Sequence, residues 1–157
     1  MKRILVNADR CSGCRLCELT CSFKHEGRFA PSASRIIVMK EDGLGFDLPV
    51  VCWHCKNCKP AESCPASALK RSAEGLIIVD EEKCTGCGSC VRSCPIGAIR
   101  LHADKHIPLL CDQCGGKPLC VERCPTKALS YVETRTEQPK SSSRVLEETC
   151  RRWKITA

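Results

Sequence analysis

Sixteen of the 17 cysteines in this 157-residue chain fall into four groups of four. The groups are Cys11-Cys14-Cys17-Cys21, Cys52-Cys55-Cys58-Cys64, Cys84-Cys87-Cys90-Cys94 and Cys111-Cys114-Cys120-Cys124. The first and third groups have the spacing C-x2-C-x2-C-x3-C, which is typical of cysteines that ligate iron–sulfur clusters. In the second, third and fourth groups, the last cysteine begins the turn Cys-Pro-x-x-Ala-(Ile/Leu). Four such quartets predict four [4Fe–4S] clusters and a chain that transfers electrons.

Zinc sites and structural disulfides are the rival interpretations of a cysteine-rich chain. Zinc ribbons use two CxxC pairs separated by a loop, whereas three cysteines at successive x2 intervals suit a cubane cluster. Residues 1–10 contain no apolar segment typical of a signal peptide, and no apolar run approaches the roughly 18 residues of a membrane span. These features predict a cytoplasmic protein, in which clustered thiols usually hold metal.

The formal net charge of +7 counts every cysteine as neutral. Ligating thiols are deprotonated, so each oxidised cluster with its four thiolates carries about −2. Four clusters would bring the whole molecule to about −1. The surplus of lysine and arginine therefore balances cluster charge, and the sequence lacks the basic, aromatic-interleaved pattern of a nucleic-acid-binding surface.

An internal repeat indicates the fold. Residues 2–14 and 75–87 share a short β-branched run, a charged turn and the start of a quartet, and 64–69 and 124–129 are a second matched pair. Strands are predicted near residues 69–71, 99–101 and 129–132. The repeated order of strand, cysteine loop, short helix and strand predicts an α+β protein of duplicated bacterial-type ferredoxin (βαβ)2 folds.

Two further stretches lie outside this repeat. Residues 35–40 are predicted to form one strand of a hairpin whose acidic, glycine-rich turn spans residues 41–45. Residues 133–142 form a polar linker, and 143–157 a helical arm. Along that arm Leu146, Cys150, Trp153 and Ala157 share one face. Two interpretations stay open: the arm docks on a partner, with a homo-oligomer through 143–157 as one form of this, or it folds back on its own core.

Residues outside the ligand positions of the quartets also bear on function. Cys150, outside every quartet, is expected to be a free thiol on the apolar face of the arm. His54 either donates a hydrogen bond to a cluster sulfur or simply packs. Gly13 and Gly86 lie inside cysteine loops, where backbone approaches a cluster closely. The sequence contains no phosphate-binding loop and no nucleophile–base arrangement, so we expect no catalytic residues in this chain.

The four quartets with their Cys-Pro turns resemble the polyferredoxin subunits paired with molybdenum and tungsten oxidoreductases, such as the iron–sulfur subunit of dimethyl sulfoxide reductase. The resemblance covers residues 1–132. Residues 11–27 and 111–120 look like the small members that accompany tungsten-containing aldehyde oxidoreductases. The resemblance implies an inner module of about 46–101 nested within an outer module of 1–45 and 102–132.

In that family the quartets exchange their fourth ligands in a nested manner. The implied ligand sets are Cys11, Cys14, Cys17 and Cys124 (first set); Cys21, Cys111, Cys114 and Cys120 (second set); Cys52, Cys55, Cys58 and Cys94 (third set); and Cys64, Cys84, Cys87 and Cys90 (fourth set). A sequential exchange, between the first two quartets and between the last two, is the alternative. One departure concerns Cys58, because the family usually has this cysteine two residues later, where this chain has Pro60.

The resemblance implies a non-catalytic subunit that takes single electrons from a tungsten- or molybdenum-containing catalytic subunit, which would oxidise an aldehyde. The acceptor would be an FAD-containing, NAD-reducing subunit or a soluble ferredoxin. A free polyferredoxin is the alternative function, and a non-redox zinc or nucleic-acid-binding module is the third.

Overall fold

The computed structural model describes residues 1–134 and 142–153. This part of the chain mixes short strands and helices in an α+β arrangement, as predicted. In chain order the elements are β1 Lys2–Val6, α1 Leu16–Glu26, β2 Ile36–Glu41, β3 Phe46–Val51, α2 Lys59–Glu62, β4 Leu69–Arg71, β5 Ile77–Val79, α3 Ser89–Ser93, β6 Arg100–Leu101, β7 Pro108–Leu109, α4 Leu119–Glu122, β8 Leu129–Glu133 and α5 Ser142–Trp153.

Strands β1 and β8 join the two ends of the predicted core. They pair antiparallel, with Lys2 opposite Glu133 and Val6 opposite Leu129. The β-branched and aliphatic residues of β1 favour a strand, and the side chain of Ile4, at its centre, is buried. The pairing places the loop that follows Val6 beside the Cys-Pro turn that precedes Leu129.

Strands β4 and β5 repeat this arrangement in the middle of the chain. They also pair antiparallel, with Leu69 opposite Val79 and Arg71 opposite Ile77. In both pairs, one strand follows a Cys-Pro turn and the other precedes a C-x2-C-x2-C loop. The short pair β6–β7 follows the third Cys-Pro turn, with Arg100 opposite Leu109.

The predicted hairpin is present as β2 and β3, which pair in register from Ile36–Val51 to Glu41–Phe46. Helix α1 packs against it through Glu18, a fully buried residue. The Glu18 carboxylate accepts hydrogen bonds from the Val38 backbone N–H, at 3.0 Å, and from the Arg15 guanidinium. These bonds satisfy a buried charge, which would otherwise be costly. They fix the hairpin to the helix that carries Cys17 and Cys21.

Three small groups of buried side chains form the core. The first combines Ile4, Ile36, Val38, Val51 and Leu129 with Cys17, Cys21, Cys111 and Cys120. The second consists of Phe46, Leu48, Val50, Trp53, Ile96 and Ala98, and the third of Leu69, Ile77, Cys90, Ile99 and Leu110. Cysteines therefore supply much of the first group, whereas other apolar side chains form most of the second and third.

Helix α5 lies against its own chain. It contacts β3, and Val145 packs on the second core group. Cys150 is buried, and the free thiol expected there stays a prediction. The predicted shared face of the arm includes Ala157, which lies outside the described residues, so docking through residues 143–157 stays a prediction.

Within residues 1–134 and 142–153, no helix is both long enough and apolar enough to cross a membrane.

Candidate iron–sulfur sites

Four cavities in the described part of the chain are each lined by four of the quartet cysteines. The first cavity is lined by Cys11, Cys14, Cys17 and Cys124, and the second by Cys21, Cys111, Cys114 and Cys120. The third is lined by Cys52, Cys55, Cys58 and Cys94, and the fourth by Cys64, Cys84, Cys87 and Cys90. Their empty volumes are about 310, 310, 350 and 300 Å³ in that order, open in part to solvent. The groupings coincide with the four ligand sets implied by the family resemblance.

The strand pairs bring together the first and fourth sets. Cys11 lies five residues after Val6 and Cys124 five residues before Leu129, and these strand residues are opposite each other. The same spacing separates Cys84 from Val79 and Cys64 from Leu69 in the β4–β5 pair. A fourth cysteine distant in sequence is thus placed beside each C-x2-C-x2-C loop.

Helix contacts bring together the other two sets. Helices α1 and α4 pack on each other, and they carry Cys21 and Cys120. Helices α2 and α3 pack likewise; Cys58 is the residue before α2, and Cys94 the residue after α3. Pro60 lies in the first turn of α2 and lines the same cavity as Cys58. The ligation of iron by Cys58 stays a prediction.

Gly13 and Gly86, in the loops that follow Cys11 and Cys84, are required by the backbone conformation and by the space around them. Gly13 and Gly86 adopt φ angles of +62° and +68°, which favour glycine. A Cβ atom at Gly13 would also collide with the Asp47 carboxylate, and one at Gly86 would lie 3.0 Å from the His106 carbonyl oxygen. Both positions therefore favour glycine, because of the backbone conformation and because a side chain would have no room.

Eight of the sixteen quartet thiols are in surroundings that raise the pKa and so disfavour a bare thiolate, with burial as the largest cause. Burial raises the pKa of Cys17 to about 12 and that of Cys111 to about 12. Iron provides the positive charge that makes such thiolates stable. Backbone N–H groups also face the sulfurs: those of Arg35 and Ala68 lie 3.3 Å from the Cys21 and Cys64 Sγ atoms, respectively. Sulfurs grouped in sets of four, most of them buried or half-buried and some with N–H donors nearby, fit the requirements of a [4Fe–4S] cluster.

A polar network adjoins the second set. The His25 Nε2 atom lies 3.1 Å from an Asp112 carboxylate oxygen, and Asp112 also pairs with the Arg35 guanidinium at 2.9 Å. On its other side, His25 Nδ1 lies 2.8 Å from the Cys21 carbonyl oxygen and 3.8 Å from Cys21 Sγ. Both ring nitrogens face acceptors, so the ring donates from both.

The charges of this network agree with its geometry. The Asp112 carboxylate raises the pKa of His25 to about 10. Burial alone would raise the pKa of Cys21, but hydrogen bonds from His25 and from the Arg35 backbone outweigh burial and lower it. The ligand atoms of His25, Asp112 and Cys114 also lie within 4.8 Å of one another. Because Cys114 belongs to the second set, we assign this group to the same site.

We expect His25→Phe to make the potential of the cluster held by the second set about 60 mV more negative, equivalent to about 1.4 kcal/mol for one electron. The variant removes a donor near Cys21 and leaves the Asp112 carboxylate without its histidine partner, and both changes disfavour the reduced cluster. Potentiometric titration followed by electron paramagnetic resonance checks this, with His25→Gln as the control that keeps a side-chain donor. Unchanged potentials in His25→Phe would refute the assignment.

His54 packs rather than donating to the nearest sulfur. Its Nδ1 atom accepts a hydrogen bond from the Ile77 N–H at 2.9 Å, so it has no proton to donate to Cys52 Sγ, 3.8 Å away. Burial lowers the pKa of His54 to about 4, which keeps the ring neutral. Neighbouring Trp53 is buried beneath the Arg3 guanidinium, 4.9 Å from its ring centroid. Its side chain lines the third cavity.

Sequence reasoning missed the supporting residues that meet at the sites although they are far apart in the sequence. His25 and Asp112 are 87 positions apart, and no spacing relates them. Gln113 is a further example: its side-chain amide donates to the Lys2 carbonyl at 3.1 Å and accepts from the Tyr131 hydroxyl at 2.9 Å. It thereby ties the loop of Cys111 and Cys114 to both β1 and β8.

Two family models match the cysteine loops. Both are described as a 4Fe-4S binding domain, and they match residues 8–24 and 77–100. These segments contain the C-x2-C-x2-C loops that line the first and fourth cavities. Residues 8–24 and 77–100 are thus similar to 4Fe-4S binding domains.

Two curated relatives are named as subunits of oxidoreductases. The polyferredoxin-like subunit of the aliphatic sulfonate oxidoreductase of Pyrococcus furiosus is 47% identical over 89 residues, which are 56% of this chain and 51% of that protein. The formate dehydrogenase iron–sulfur subunit of Wolinella succinogenes is 31% identical over 84 residues, 52% of this chain and 42% of that protein. The chain spans about half the length of the curated relatives it matches.

A solved structure extends the similarity to nearly the whole chain. A chain of the active site complex BamBC of benzoyl coenzyme A reductase is 26% identical, with a TM-score of 0.54, and the match covers 96% of this chain and 89% of that one. By their names, the two curated relatives are polyferredoxin-like or iron–sulfur subunits of oxidoreductases, and the solved neighbour is a chain of an active site complex.

Proposed function

We propose that this chain is an electron-transfer subunit holding four [4Fe–4S] clusters, one in each cysteine set. It relays single electrons between a cofactor-bearing catalytic subunit and a second redox partner. The observation that supports this function best is the grouping of 16 cysteines around four cavities. Each bound cluster would supply a one-electron carrier, and the protein supplies ligands, spacing and potential.

The four sets follow one another through the molecule. Cys17 of the first set is buried in the first core group with Cys21, Cys111 and Cys120 of the second. Cys52 of the third set packs against that group and also against the third core group, which contains Cys90 of the fourth set. The order first, second, third, fourth supports a continuous path for electrons. Cys14 and Cys87 are exposed, and they mark its two ends.

The catalytic partner that we propose contains tungsten or molybdenum and oxidises an aldehyde. This part of the proposal rests on the family resemblance of residues 11–27 and 111–120. The acceptor would be an FAD-containing, NAD-reducing subunit or a soluble ferredoxin. The relatives support a complex of this general kind, since they are subunits of several oxidoreductases.

We expect the tagged chain, purified anaerobically from its native cells, to bring with it a large subunit at a fixed ratio. Tungsten or molybdenum should co-elute with that subunit, and added aldehyde should bleach the visible absorbance of the clusters in the complex. Metal analysis and stopped-flow absorbance provide the measurements. A fully loaded chain that elutes alone would instead support the free polyferredoxin, the second candidate function.

A further inference from the structure

Helix α1 turns an apolar face to solvent. Its inner side is formed by Cys17, Glu18, Cys21 and Ser22, all buried. On its outer side Leu16 and Phe23, two helical turns apart, remain 39% and 52% exposed. A helix of a small protein ordinarily turns polar residues outward, so this outer face requires an explanation.

A second aromatic ring enlarges this face. Phe29, just beyond α1, is 69% exposed and stacks on Phe23, with ring centroids 4.9 Å apart and an interplanar angle of 18°. The chain has only three phenylalanines, and the third, Phe46, is buried in the second core group. Most of its phenylalanine is thus placed where it contributes little to the core. Large exposed apolar groups of this kind mark interaction surfaces.

Basic side chains border these residues. Within residues 12–29, the exposed charged side chains are Arg15, Lys24 and Arg28. The acids of the same stretch are turned inward: Glu18 is buried, and Glu26 pairs with His102 at 3.5 Å and Lys105 at 4.0 Å. Arg15 pairs with Glu18, and Arg28 pairs with Asp104 at 3.5 Å. Counting Arg15, Lys24, Arg28 and Lys105 against Glu18, Glu26 and Asp104, the border keeps one net positive charge, which favours an acidic counterpart.

We propose that Leu16, Phe23 and Phe29, the aromatic patch, form the docking surface for the catalytic subunit of the complex. This inference rests on the proposed function. The counterpart would be an apolar pocket bordered by carboxylates. A second copy of this chain fits less well, because it would bring two basic borders together.

The position of the patch suits electron entry. The same helix carries Cys17 of the first set and Cys21 of the second on its opposite side. An α-helix with its side chains is about 10–12 Å across. A partner seated on the patch therefore lies about one helix width from two of the four cysteine sets, without having to penetrate the protein.

The affinity of the isolated holo-chain for the co-purified catalytic subunit tests the proposal. We expect the double variant Phe23→Ala/Phe29→Ala to raise the Kd about 30-fold or more, as for the central residues of an interface. Ile78→Ala, a truncation of a 46% exposed residue on β5, is the matched control and should change the Kd less than threefold. Lys24→Glu should weaken binding mainly at low salt, whereas Lys56→Glu, at another exposed lysine, should not.

Iron content measured on each variant shows whether its clusters remain. If the double variant loses iron, hydroxyl-radical footprinting of the wild-type complex decides, and protection of Phe23 and Phe29 supports the proposal. If the double variant binds the catalytic subunit as tightly as the wild-type chain does, the docking surface alone is overturned. The same holds if footprinting of the wild-type complex leaves both rings unprotected. A wild-type homodimer abolished by the double variant also overturns it. Failure of any catalytic subunit to bind the wild-type chain overturns the proposed function as well.

Discussion

The double variant Cys17→Ala/Cys124→Ala is expected to lose one cluster and to retain about 12 iron atoms per chain, against about 16 in the wild type. These two cysteines line the same cavity, so removing both should cost no more than removing one. Sequential exchange of ligands between the quartets makes a different prediction. There Cys17 and Cys124 serve separate clusters, and the variant would retain about 8 iron atoms.

The matched control is Cys17→Ala/Cys64→Ala, whose cysteines line different cavities. Nested exchange predicts the loss of two clusters in this variant, and sequential exchange the loss of one. Iron and sulfide analysis of anaerobically purified protein distinguishes the two outcomes. The reverse pattern in the two variants would contradict the assignment of the ligand sets.

Removal of the iron is expected to unfold the chain at 25 °C. A structural metal site contributes on the order of 10 kcal/mol to folding, whereas a whole domain is stable by only about 5–15 kcal/mol. Four of the nine residues in the first core group are cysteines, and without clusters their cavities lose the groups that fill them. Aromatic residues make up only 4% of the chain, so the remaining hydrocarbon core is too small to compensate.

Circular dichroism during thermal unfolding measures this effect. The loaded protein should unfold cooperatively, and protein stripped by chelator and oxidant should show no transition and should expose Cys17 and Cys111 to thiol reagents. Reconstitution with iron and sulfide under reducing, anaerobic conditions is the control and should restore the transition. A stripped protein that keeps a cooperative transition would show that the clusters are not the core.

The repeated elements could be predicted from sequence because each depends on local patterns. The β-branched run before Cys11 and the Cys-Pro turn before Leu129 identify β1 and β8, and the hairpin follows from the glycine-rich turn after Glu41. The grouping of Cys11 with Cys124 needed the family resemblance as well. It depends on which strands pair, and strand pairing across more than 120 residues leaves no local trace in the sequence.

The supporting residues could not be predicted for the same reason. His25, Arg35 and Asp112 meet only because α1, the hairpin and the loop before α4 converge beside Cys21. Glu18 reads as an ordinary exposed acid on a helix, yet its partner at Val38 makes burial possible. The hydrophobic periodicity of α1 also does not predict the aromatic patch. The inward-facing residues are cysteines and polar groups, so a hydrophobic pattern does not identify the buried side of the helix.

Iron, acid-labile sulfide and zinc should be determined on one anaerobically purified sample of the full chain. About 16 iron and about 16 sulfide per chain, with zinc near zero and a brown colour, are the values expected for four [4Fe–4S] clusters. A colourless protein, or one holding a single metal ion per cysteine set, would contradict the central claim.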